Sequence, residues 1–470
     1  MTGGAKRGAA PSAGPAGSAG SAGSASSAAV TASTAWRGTW RQGLAYGGLG
    51  LPLAFVALPL YVILPNFYAS EFGIPLAVLG ALLLGARLLD AFVDPLIGRW
   101  ADGWFAHSRQ RVLGVALVAA VVLAISFRAL FFPAVQTQQA LLWWCGAVLA
   151  VTYLSYSVMT VTHQAWGARL GGDEAQRAQV VSWREALSLV GVLVASVLPS
   201  VLGLSVASVV FAVLLALGLL ALCWAPPPQQ DAAAASLGLA AMAGPGTLEP
   251  APAQPLTATL ASPLQVPAFK RLLAIYLVNG VASAVPATLV LFFIRDRLQA
   301  QNFEPLFLAT YFAAGALSIP LWVRLVRRFG LAHTWLLGMG LAVVTFAWAA
   351  LLGSGDVLAF ALVCLASGVA LGADLTLPGA LLAGVIQRAG HGQRLEGAYF
   401  GWWNFATKLN LALAAGIALP LLGQFGYAPG SRSEDALQAL TIAYCLLPCV
   451  LKLIAAGLLW RLWLRHEGKT

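Results

Sequence analysis

Twelve runs of about 20 or more mostly apolar residues recur along this chain, and a helix needs about 20 such residues to cross the hydrocarbon of a bilayer. They fall near 44–68, 76–98, 111–132, 140–165, 184–203 and 205–225, and again near 270–294, 305–326, 332–353, 357–386, 397–421 and 437–462. Of 470 residues, 59% are hydrophobic and only 9% are charged, against roughly 25% charged in a soluble domain. A surface so poor in ions has to face lipid. A β-barrel is excluded, because its strands are about ten residues long and alternate in polarity. The pattern predicts an all-α membrane protein of twelve transmembrane helices.

Residues 1–40 open on Gly, Ala, Ser and Pro with few large side chains, and read as a disordered tail rather than a signal peptide. Residues 226–267, rich in Ala, Pro and Gly, read as a linker between two six-helix bundles at 41–225 and 268–470. Positive charge sets the orientation. With the N-terminus in the cytoplasm, twenty Lys and Arg fall in inside segments, against only Arg295, Arg297 and Arg432 outside. That asymmetry predicts an inner-membrane protein with both termini cytoplasmic. The net charge of +10 is explained by the same loops and implies no nucleic acid. The five cysteines form no Cys-x-x-Cys pair and no zinc spacing with His, so neither a disulfide framework nor a metal site is implied.

A charge at mid-bilayer costs at least ~2.5–3.5 kcal/mol, so it survives with a partner or beside water. In Arg87-Leu-Leu-Asp90-Ala-Phe-Val-Asp94-Pro95 the three ionic residues are three and four apart and share one helix face. One arginine cannot neutralise two carboxylates; Arg87 reads as a structural ion pair and Asp90 and Asp94 as a site. Lys408 lies too deep in the eleventh run to reach either interface, and Asp90 and Asp94 are its natural partners across the two bundles, an ionic lock that a cation or proton could open. Asp374, near Pro378, reads as capping broken backbone or lining a cavity, while Arg128 and Lys452 read as snorkelling or packing residues. His163 and Gln164 end the fourth run, and Trp402 and Trp403 offer faces on which a ligand could stack.

At these residues the chain resembles the glycoside–pentoside–hexuronide:cation symporter family of the major facilitator superfamily. The resemblance rests on Tyr46-Gly47, on Ala86 to Gly98 in the second run, on Asp102 with Arg109 and Arg111, on Arg177 with Ser182-Trp183-Arg184, and on Thr407-Lys408. It implies the major facilitator fold, a central cavity and alternating access. It implies a cation site at Asp90, Asp94 and Ser157, tuned by Lys408, and substrate contacts among Arg184, Gln164, Thr160, Trp402 and Asn404. Ala54 and Thr160 stand about where sugar carriers of the family place carboxylates, and Val93 where they place an amide beside the cation. The first difference leaves room for an amphipathic, lipid-like solute; the second leaves a proton more credible than sodium.

The expected function is therefore symport of a small organic solute, sugar-type by family, driven by H+ or Na+, with no cofactor. An uncoupled facilitator, a receptor or a scaffold are the rivals. No Gly-x-x-x-x-Gly-Lys loop suggests ATP as the driver, and no nucleophile–base pair suggests an enzyme. The expected partners are the small solute and membrane lipid, with the protein as a monomer.

Overall fold

The computed structural model describes residues 2–4, 36–228, 256–427 and 430–465. Most of the tail expected over 1–40, and of the linker expected over 226–267, lies outside them. The described end of that linker is a helix, Leu256–Gln265. Among the described residues the secondary structure is helical throughout, without a strand.

Among the described residues nine helical stretches are long and apolar enough to cross a membrane. The longest of them, 301–349, folds back at Gly330, whose φ of 75° breaks the helix into two crossings. The remaining two crossings are Leu76–His107 and a segmented one built from Trp40–Gly47, Gly50–Leu58, Pro59–Ile63 and Leu64–Phe72. Twelve crossings result, as the apolar runs predict. Prolines at 52, 59 and 65 explain the segmentation of the first, since each removes a backbone donor; Pro59–Ile63 is a π turn.

Side-chain caps start the helices where the apolar runs begin. Ser108 accepts from the Arg111 amide, Thr137 from the Ala140 amide, and Asp173 and Gln176 form a reciprocal capping box. That box begins the fifth helix at Glu174, ten residues before the expected start at 184. The second helix runs to His107, beyond the expected end at 98. Its 32 residues span about 48 Å, well past the ~30 Å hydrocarbon layer.

Three large cores form. One is made wholly of residues 36–225 and one wholly of residues 285–445. The third joins Ala168, Ala178 and Val181 of the first six crossings to helices of the last six. This seam lies at one end of the molecule. There the second and eleventh helices touch backbone to backbone: a Cβ on Gly98 would sit 2.1 Å from the Gly397 carbonyl oxygen, and a Cβ on Gly401 2.5 Å from that of Asp94. Asp102 accepts from the Gly397 and Ala398 amides at 2.7 and 2.9 Å, capping the eleventh helix. Arg169 bridges Asp102 at 2.9 Å and Glu396 at 3.0 Å, all three nearly inaccessible. Glu174 accepts from the Leu331 amide, and Arg177 donates to Gln387. The two sets of helices are thus latched at the end that carries the 107–109, 169–173 and 389–395 connections.

Candidate functional site

Above that latch the two sets of helices enclose a cavity whose two lobes share Tyr156, Thr160, Gln164, Arg184, Glu185 and Leu375. The lobes hold about 340 and 360 Å³. Helix geometry decides what faces it. Ser157, Thr160 and Gln164 recur at three and four residues along the fourth helix, and Phe400, Asn404, Thr407, Lys408 and Leu411 do so along the eleventh.

Lys408 stands at the cavity wall and reaches behind it. Its Nζ lies 2.6 Å from Asp90 Oδ2 and 2.7 Å from Asp94 Oδ2, and donates to Ser157 Oγ at 2.9 Å. Ser157 Oγ in turn donates to Asp90 Oδ1 at 2.6 Å. Asp94 is wholly buried and Lys408 keeps a fifth of its side chain accessible. The four residues named from the sequence for the cation thus meet, across the boundary between the first and last six helices. One ammonium is shared by two carboxylates, so its charge has to be replaced whenever Lys408 withdraws. At low dielectric an unreplaced carboxylate charge is costly, and a small cation or proton is the species it would take up. Arg87 is half-buried one turn earlier on the second helix, beside the Tyr153 hydroxyl.

Arg184, Gln164, Thr160 and Asn404 all line the cavity. Trp402 does not: its indole donates to the Leu260 carbonyl at 3.0 Å, on the helix that ends the linker, and its ring edge meets Phe405. Adjacent helical residues point about 100° apart, and it is Trp403 that faces inward, stacked on Tyr276 with centroids 3.7 Å apart. Glu185 is a cavity residue that sequence reasoning missed. It binds Arg184 at 2.5 Å, and both sit in mid-helix because the fifth helix starts so much earlier than expected. A hydrophilic first turn with an Asp173 cap was the available signal.

A second buried cluster was also missed. Lys452, expected to pack or snorkel, is 3% exposed. It binds Asp374 Oδ2 and donates to Asn279 Oδ1 at 2.8 Å. Asp374 also accepts from Asn279 at 3.1 Å, Ser283 at 3.1 Å and Trp335 at 3.0 Å. Three other helices of the last six converge on this one carboxylate, which both lines the central cavity and holds its own bundle together.

Comparison with known proteins agrees with this architecture. The family model described as MFS/sugar transport protein matches residues 43–466. The inner membrane symporter YicJ of Escherichia coli (strain K12) is 29% identical over 163 residues, so the match spans only about a third of either protein, 33% of each. A Salmonella typhimurium (strain LT2) protein provisionally named a sulfoquinovose importer is 26% identical over 445 residues, 88% of each chain. Among solved structures, the major facilitator transporter FucP in the outward conformation superposes with a TM-score of 0.60 at 12% identity, covering 88% of this chain and 98% of that one. A bacterial homologue of the iron transporter ferroportin in its outward-facing state gives 0.58 at 18% identity, over 89% and 99%. Fold and family are those of membrane transporters and not of enzymes. With the family model covering nearly every crossing, the chain belongs to the MFS/sugar transport protein family.

Proposed function

We propose that the protein is a cation-coupled symporter of a small sugar-type solute, working by alternating access in the bacterial inner membrane. The observation that carries the reading is the contact of Lys408, from the last six helices, with Asp90, Asp94 and Ser157 of the first six. A cation that binds the carboxylates competes with a bond holding the two bundles together, so occupancy and conformation are linked. Asp94 takes the driving ion, Asp90 and Ser157 share it, and Lys408 substitutes for it in the empty carrier. Arg87 supports the second helix beside this group. Arg184, Gln164, Thr160 and Asn404 bind the solute; its hydroxyls find donors and acceptors there, with Trp403 rather than Trp402 as the stacking face. No cofactor is called for, because the ion is itself carried.

The latched end, in this reading, is cytoplasmic. It carries the 107–109, 169–173 and 389–395 connections, whose arginines belong inside by charge, and the cavity then opens outward. Both termini are cytoplasmic, 41–225 and 268–470 are the rocking bundles, and the carrier works as a monomer. The names of its relatives make glycosides and sulfonated sugars the first solutes to try. The test is uptake by proteoliposomes of purified protein under an imposed proton or sodium gradient. Accumulation above equilibrium with one ion and not the other supports symport and names the ion. Gradient-independent equilibration of a solute would replace symport with facilitated diffusion.

A further inference from the structure

The last six helices enclose a second cavity, separate from the latch and from the cation cluster. Its volume is about 140 Å³, close to the roughly 150 Å³ of an engineered protein cavity that stays dry and takes up benzene. Its walls are mostly apolar, with Phe307, Phe346 and Pro286 among them. Ser283, Ser367, the Asp374–Lys452 pair and two phenols interrupt that lining. Tyr444 is 4% exposed and Tyr311 is half-buried, and neither hydroxyl has a hydrogen-bond partner among the described residues. Neither hydroxyl is among the enclosed polar atoms that lack a partner, so both stay accessible. Two accessible donors on one ring-sized, mostly apolar space are what a ligand with an acceptor would engage. Phe312 and Leu371 are walls of both this cavity and the central one, and Asp374 also borders both.

We propose that this cavity binds a single aromatic ring bearing a hydrogen-bond acceptor, with the Tyr444 and Tyr311 hydroxyls as its donors. The ring can come from two sources: the aromatic part of a transported glycoside whose sugar lies in the central cavity, or a separate small aromatic molecule. The first source rests on the transport reading above; binding of the ring does not.

Acetophenone, a ring with one carbonyl acceptor, is the probe, and toluene its acceptor-free counterpart. Both are titrated into the purified full-length protein while thermal unfolding is followed. The wild type should show a saturable stabilisation by each. Tyr444→Phe keeps the space and removes one donor, so its apparent affinity for acetophenone should fall about fivefold, as expected for one hydrogen bond, with toluene unchanged. Ala342→Leu, which fills the cavity, should abolish both effects. Should that variant fail to fold, Tyr444→Phe alone decides. A non-saturating response, or one identical in wild type and Tyr444→Phe for both probes, overturns the proposal. In proteoliposomes, a phenyl glycoside that outcompetes its methyl counterpart in wild type but not in Ala342→Leu assigns the ring to the substrate. Equal competition by the two, with acetophenone binding intact, assigns it to a separate aromatic molecule. Loss of all glycoside uptake with acetophenone binding retained refutes the transport reading and leaves this site standing.

Discussion

Lys408 and Lys452 are both lysines in the middle of membrane helices, and they are held in opposite ways. Lys452 faces one carboxylate inside a single bundle, and both Asp374 oxygens are used twice over by Lys452, Asn279, Ser283 and Trp335. Lys408 faces two carboxylates that belong to the other bundle, and remains partly open to the cavity. The first arrangement pairs one charge with one charge, has its acceptors filled and gains nothing by opening. The second shares one ammonium between two carboxylates and straddles the surface along which the bundles move. A buried ion pair stabilises little in itself, but removing one partner is severe where nothing can replace it. The position of a lysine relative to the moving boundary, more than its depth, separates a fastening from a switch.

The sharpest way to break this contrast is to remove each ammonium in turn. Lys452→Ala leaves Asp374 charged and enclosed, and should cost about 3–5 kcal/mol, seen as loss of folded protein in membranes and in thermal unfolding in detergent. Lys408→Ala should stay folded, since a cation or proton can take its place, while transport fails. Equal loss of folded protein in the two variants would erase the distinction. Asp94→Asn comes next: the protein should be present at normal levels, its steady-state accumulation should drop to simple equilibration, and ion dependence should vanish. Well-folded Asp94→Asn protein that still concentrates substrate would reduce the Lys408 cluster to a second fastening.

A smaller effect is expected at the latch. Gly397→Ala puts a Cβ 2.2 Å from the Gly98 carbonyl oxygen, an overpacking worth about 1–3 kcal/mol that falls on the latched state alone. Accessibility of single cysteines placed at the two ends should shift toward the opposite conformation; an unchanged pattern would mean that the second and eleventh helices do not separate there. The smallest change is predicted for Trp402→Phe, which loses the bond to Leu260 but no cavity contact, so the apparent affinity for substrate should alter by less than about twofold, within the scatter of ordinary surface changes. A larger loss would bring the linker helix into the site.

How much of this was legible in the sequence depended on contrast. Asp90, Asp94 and Lys408 stand out because each interrupts an apolar run, and one lysine suits two carboxylates on a shared face. The crossings were legible for the same reason, including the one that turns at Gly330 with no loop. Glu185 was obscured because hydropathy placed the start of the fifth helix at 184, whereas the Asp173 cap and a polar first turn carry it back to Glu174. Asp374 was legible as a residue that could line a cavity and Lys452 only as packing or snorkelling; only packing reveals that they pair and that Asn279, Ser283 and Trp335 converge on Asp374. Trp402 and Trp403 differ by one residue, a rotation that an error of a single position in helix phase reverses.

Gly203 bears on an earlier event, the making of the protein. No charged residue occurs between Glu185 and Asp231, so the fifth and sixth crossings reach the insertion machinery as one apolar ribbon with no anchoring signal between them. A straight helix over Glu174–Trp224 would be about 77 Å long, more than twice what a bilayer can house. The backbone turns instead at this one glycine, with φ 80°, a conformation other residues adopt only under strain. The pair therefore fits the bilayer only as a hairpin, and the side from which the next crossing sets out depends on that joint as well as on the charges of the later loops.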